Sequence, residues 1–227
     1  MRKASALFAY FLVGVVSLHA TDKGWIEVKS PHFRVLTDHS EEPGRAVALG
    51  LEQIRGVFAE SMPGLRVDSN VETLLFAARD KVTMRRLLPE SYWRNLDQIG
   101  GMYLKGSEVD YALMRLNSYD PQSIIYHEYL HKLLHMNYTR LPRWLDEGLA
   151  EFFANAGMHQ GKAYIGMASP RLELLVRHGV EPVEKIVSYD YASERSWDPM
   201  KLQTFYAESW ALTHFLCLEK GWSSGAK

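Results

Sequence analysis

Cysteine is nearly missing from this chain: one residue, Cys217, in 227. An intrachain disulfide is therefore excluded, and so is a closed structural zinc site built from several thiolates. Cys217 is also too far from the start of the chain to carry a lipid at a mature N-terminus. An excess of charge is missing too. Lys and Arg number 26 against 27 Asp and Glu, for a net charge of −1, and the basic residues are dispersed, with only short pairs such as Arg85-Arg86. Nothing here is suited to nucleic acid. There is no internal repeat and no low-complexity tract. Long apolar runs are absent apart from residues 4–18, which are too few for a comfortable membrane span. With Arg2-Lys3 ahead of that run and His19-Ala20 before the polar Thr21-Asp22-Lys23, residues 1–20 follow the pattern of a secretory signal. Cleavage after Ala20 would leave 21–227 as one exported, disulfide-free domain, at home in a bacterial periplasm or outside the cell. Membrane contact is expected only if the segment stays uncleaved.

What the chain does have is apolar content, 47%, ample for a core. Alternation predicts a strand pair at 25–29 and 32–37, and helical spacing of Val47, Leu51, Ile54, Val57 and Phe58 predicts a helix over 41–59. A third strand is expected at 71–78 and a short helix at 81–88. A hairpin of 101–104 with 109–116 turns around Lys105-Gly106-Ser107. Beyond it come a helix opened by Asp120-Pro121 and a second opened by Pro142. A short strand is expected at 164–167, a helix at 170–177 closed by Gly179, another at 182–187, and a loop over 188–199. A strong helix over 202–218 offers Phe205, Trp210, Leu212, Phe215 and Leu216 to the core. The fold class expected is α+β: a strand-rich lobe, about 21–118, packed on a mainly helical lobe, about 119–227.

The chemistry is concentrated in Tyr126-His127-Glu128-Tyr129-Leu130-His131. Four residues apart on a helix, His127 and His131 project from one face and can reach one metal ion, with Glu128 beside them as a base for a metal-bound water. The plainer alternative is a core helix whose histidines are merely hydrogen-bonded. Two histidines leave a catalytic zinc one protein ligand short, and Pro142-Arg143-Trp144-Leu145-Asp146-Glu147-Gly148-Leu149-Ala150-Glu151 follows soon after. Glu147 and Glu151 share a helix face. Glu147 can serve as third ligand while Glu151 accepts the second N–H of a ligating histidine, and Gly148 leaves room for close helix approach. His135 continues the histidine series, but it lies roughly 12 Å from His127 along the axis, too far to share an ion.

These two segments together resemble the gluzincin zinc metallopeptidases, whose signature pairs H-E-x-x-H with a W-L-[ND]-E-G-x-A stretch, and most closely a small bacterial branch of them. The resemblance implies zinc ligands His127, His131 and Glu147, general base Glu128, and Glu151 as the acidic residue one turn beyond the ligand. The 15 residues between His131 and Glu147 are somewhat fewer than in the larger members. The expected activity is peptide hydrolysis with one Zn2+ per chain. The alternative is a catalytically silent peptidase-fold module that binds a peptide or cell-envelope partner, though an intact Glu128 argues against it. An oxyanion donor is also needed; Tyr206 is the first candidate and His214 the second. A peptide or protein substrate could add as a strand along Gly100-Gly101-Met102-Tyr103-Leu104, where paired glycines admit another backbone.

Overall fold

A computed structural model describes residues 24–96, 99–194 and 197–219; the secretory segment expected at 1–20 lies outside them. The architecture is α+β, with a five-stranded sheet in the N-terminal part and a mainly helical C-terminal part. Among the described residues the chain divides into two compact units, 24–137 and 138–219.

The first unit is built on a sheet of order β1-β2-β3-β5-β4. Strands β1 (Ile26–Lys29) and β2 (Arg34–Thr37) pair antiparallel, with Val28 opposite Val35, as the alternation predicts. From β2 the chain crosses through α1 (Glu41–Ser61) to β3 (Glu72–Ala78), which runs parallel to β2. The five apolar residues of α1 expected to share a face are all buried. After α2 (Lys81–Leu87) and a 3-10 turn at Glu90–Asn95, β4 (Gly101–Leu104) and β5 (Val109–Arg115) form the expected hairpin. Strand β5 returns parallel to β3, leaving β4 on the sheet edge.

Helix α3 (Pro121–Asn137) then lies against α1, β4 and β5. Its start is specified locally: Asp120 accepts from the Ser123 amide at 3.0 Å, with Pro121 in the first turn. Ile125, Tyr126, Tyr129, Leu130, Leu133 and Leu134 form its buried face, each large apolar side chain contributing about 1.5–3 kcal/mol by burial. That packing is why α3 clusters with the sheet in the first compact unit, which runs to Asn137.

The second unit is organised on α4 (Arg143–Ala154) and α8 (Pro199–Leu218). Gly148 is the reason they can approach. A Cβ there would stand 2.1 Å from the Thr213 hydroxyl and 2.5 Å from the Ser209 carbonyl. Between them come β6 (Gly157–His159), β7 (Lys162–Tyr164), α5 (Leu172–His178), α6 (Val183–Ser188) and α7 (Tyr191–Glu194).

Some local expectations change. The strand expected at 164–167 is not formed beyond Tyr164; the strand here is β7, the second arm of a hairpin with β6, turned by two left-handed residues, Gln160 (φ 50°) and Gly161 (φ 70°). The stretch 188–199 contains α7, and α8 begins at Pro199 because Asp198 caps it, accepting from the Lys201 amide at 2.8 Å. On α8, Phe205 and Trp210 are buried, whereas Phe215 is 53% exposed and outside the core. Gly179 closes α5 as expected, at φ 79° with its N–H on the Leu175 carbonyl. No helix among the described residues is long and apolar enough to cross a membrane.

Candidate metal centre

On α3 the Nε2 atoms of His127 and His131 lie 3.0 Å apart, with ring centroids separated by 4.7 Å. Both side chains are half-buried. Such a pair can share a proton as an imidazole–imidazole hydrogen bond. It also suits a metal: two nitrogens bound at about 2.0–2.1 Å in a tetrahedral shell stand roughly 3.3 Å apart. The two imidazoles can therefore reach one metal ion without rearrangement of the helix. His135 is exposed, its ring 5.7 Å from that of His131.

Glu128 turns toward the sheet edge, and the glycines of β4 explain how. A Cβ on Gly101 would sit 2.4 Å from Ile124 Cγ2 and 3.1 Å from Glu128 Cγ, and one on Gly100 would sit 2.5 Å from Ile124 Cδ1. The paired glycines therefore first admit α3, bringing Glu128 Cγ beside the edge strand.

In the second unit, α4 buries three carboxylates: Asp146, Glu147 and Glu151 are 1%, 2% and 2% exposed. Charges this deep require partners. Arg143, one turn before Glu147, donates to its Oε1 and lays its guanidinium over the Tyr191 ring at 4.6 Å. Tyr191 donates to Asp146 Oδ2 at 2.6 Å. Burial, reinforced by that carboxylate, pushes the Tyr191 phenol up to about 12. Glu151 accepts from Arg171, whose Nε donates to Gln203 at 2.8 Å. Tyr206 stands among these groups. Its hydroxyl is 3.5 Å from Arg143 Nη2, and the Arg143 and Arg171 guanidinium carbons lie 5.9 and 5.5 Å from its ring. His214 stacks near Trp210 instead, with centroids 4.8 Å apart.

The helix α3 thus brings His127, Glu128 and His131 together, and the second unit brings Glu147, Glu151 and Tyr206 together. The imidazoles of α3 are nitrogen donors that can hold a metal ion, and α4 carries buried carboxylates, a donor type that metals also take. Sequence reasoning missed Arg143, Arg171 and Tyr191. Only Arg143 left a signal, as the cation four residues before Glu147.

Residues 122–221 match a family described as "Protein of unknown function (DUF1570)". The matched stretch contains His127, Glu128, His131, Glu147, Glu151, Tyr206 and His214, and none of β1 to β5. A search of the curated proteins finds no match.

Proposed function

We propose that the chain is an exported zinc metallopeptidase of gluzincin type, with His127, His131 and Glu147 holding one zinc. The observation that carries this reading is the His127–His131 pair at 3.0 Å, with Glu128 on the same helix, its Cγ beside Gly101 of the edge strand. When bound, zinc supplies a Lewis acid that polarises a peptide carbonyl and acidifies water. Glu128 takes the proton of the attacking water and delivers it to the leaving amine.

Glu151, held by Arg171, is assigned to orient a ligating histidine. Tyr206 donates its hydroxyl to the carbonyl oxygen as negative charge develops there. The peptide lies as an added strand along β4, its backbone amides and carbonyls meeting those the edge strand exposes. Export through the N-terminal segment would place the activity in the periplasm or outside the cell.

The silent binding module differs in one respect that can be measured. Glu128→Gln is nearly isosteric but cannot take a proton, so turnover on a mixed-peptide substrate should fall roughly 10²-fold or more. A Glu128→Gln variant as active as the parent would remove Glu128 from the mechanism. No cleavage by the parent, with peptide still bound, would favour the module.

A further inference from the structure

At the end of β4 away from Gly101, a pocket of about 450 Å³ opens within the first unit. Its floor is polar but internally balanced. Lys132, 5% exposed, pairs with Asp110 at 3.2 Å and donates to the Thr73 hydroxyl and the Val71 carbonyl. Those three acceptors occupy the ammonium's three protons. Asp110 accepts in turn from the Gly106 amide at 3.1 Å and from the Tyr103 hydroxyl. Burial, with the Asp110 carboxylate adding to it, holds the Tyr103 phenol well above its ordinary range.

The walls are not balanced. Arg66 is fixed at both backbone atoms by the Asn137 side chain, which accepts from its N–H at 2.7 Å and donates to its carbonyl at 2.8 Å. Its guanidinium donates to the Met136 carbonyl at 2.5 Å, a neutral partner that leaves the positive charge in place. Lys105, directly after β4, has no carboxylate partner among the described residues. The remaining acid of the lining, Asp68, is paired with Arg55, which does not line the pocket. Two cations thus face a cavity whose carboxylates are already neutralised, and one of them is held in position.

We propose that this pocket binds a carboxylate of the substrate peptide, either an Asp or Glu side chain or the C-terminal carboxylate. The proposal rests on the reading of β4 as the substrate strand and adds a position to it. Glu128 meets the strand at Gly101, and Lys105 lies four residues on, roughly 13 Å at about 3.3 Å per residue. A peptide in step with β4 therefore has its recognised carboxylate three or four residues from the bond that Glu128 serves.

The test uses the full chain and a set of peptides of one length. Each carries a single Glu or its Gln counterpart at successive positions, with the C-terminus free or amidated. Binding is measured on Glu128→Gln protein, and cleavage sites are mapped with the parent. Glu over Gln, or free over amidated terminus, should strengthen binding about tenfold, as two partly exposed charge pairs allow. The effect should appear at one position only, three or four residues from the cut.

Lys105→Glu, on an exposed residue, should abolish or invert the preference while the melting temperature stays put. Arg66→Gln should do the same, with some loss of stability. A side-chain effect alone and a terminal effect alone both support the pocket and say which carboxylate it takes. Equal binding of all peptides, alongside normal cleavage, overturns the pocket and leaves the peptidase reading standing. A carboxylate preference in binding without any cleavage keeps the pocket and overturns the peptidase reading. No binding at all removes both.

Discussion

Gly101→Ala is the substitution for which the structure sets both a stability cost and a catalytic cost. The new methyl would lie 2.4 Å from Ile124 Cγ2, 3.1 Å from Glu128 Cγ and 3.3 Å from the Leu113 carbonyl. Strand β4 cannot back away freely, because Met102 is registered opposite Leu113 in the ladder with β5. Helix α3 must yield instead, through Ile124 and Glu128. Overpacking of this kind costs about 1–3 kcal/mol. Gly101 is not among the residues with positive φ, so loss of chain entropy in the unfolded state returns about 0.4–1 kcal/mol. The net expectation is a loss on the order of 1 kcal/mol in urea unfolding. Moving the base by about 1 Å costs up to roughly 10² in rate. Turnover should therefore fall by 10 to 100-fold on that principle, with KM and zinc content nearly unchanged. Gly100→Ala is the control: the three atoms nearest its methyl all belong to Ile124, the first at 2.5 Å. It should lose similar stability and keep its kcat. Wild-type turnover and stability in Gly101→Ala would refute the close approach of α3 to the edge strand, as would an equal kcat loss in both variants.

Glu147→Ala should lose zinc almost completely by equilibrium dialysis, and Glu151→Ala about 10 to 100-fold in affinity; a larger loss at Glu151 would exchange their roles. Tyr206→Phe keeps the ring between the two guanidiniums and removes only the hydroxyl. Steady-state kinetics should show kcat down roughly 10 to 10³-fold with KM and melting temperature little changed; a lower melting temperature with kcat intact would make it a packing residue. In Glu181, burial favours the neutral acid, but Lys185, Lys201 and Tyr189 outweigh it and bring the carboxyl from 4.5 to about 2. A lowered folded value means stability that is whole above about 4.5 and lost as the pH falls toward 2. Thermal melts across that interval should decline less steeply in Glu181→Gln.

The elements legible in advance were those whose cause is local. The spacing of α1's apolar residues, the Asp120-Pro121 start of α3 and Gly179 at the end of α5 each act within one or two turns of chain. Gly148 was legible because so small a residue beside a candidate ligand implies a close neighbour, although the sequence could not name α8 as that neighbour. The surroundings of Glu147 were not legible. Tyr206 approaches Arg143 across 63 residues and Tyr191 approaches Asp146 across 45, and no periodicity encodes such contacts. The β6–β7 hairpin escaped because each arm has three residues and one of its two left-handed positions is a glutamine. Phe215 shows the opposite failure, since an apolar residue on an apolar helix need not face the core.

The most direct test of the central claim is the metal content of the purified chain, parent against His131→Ala. With two imidazoles already placed to share an ion, the parent should hold about one zinc per chain. His131→Ala should hold none under the same conditions while remaining folded by circular dichroism. A parent that takes up no zinc, or a His131→Ala variant that keeps it, would contradict the account at its base.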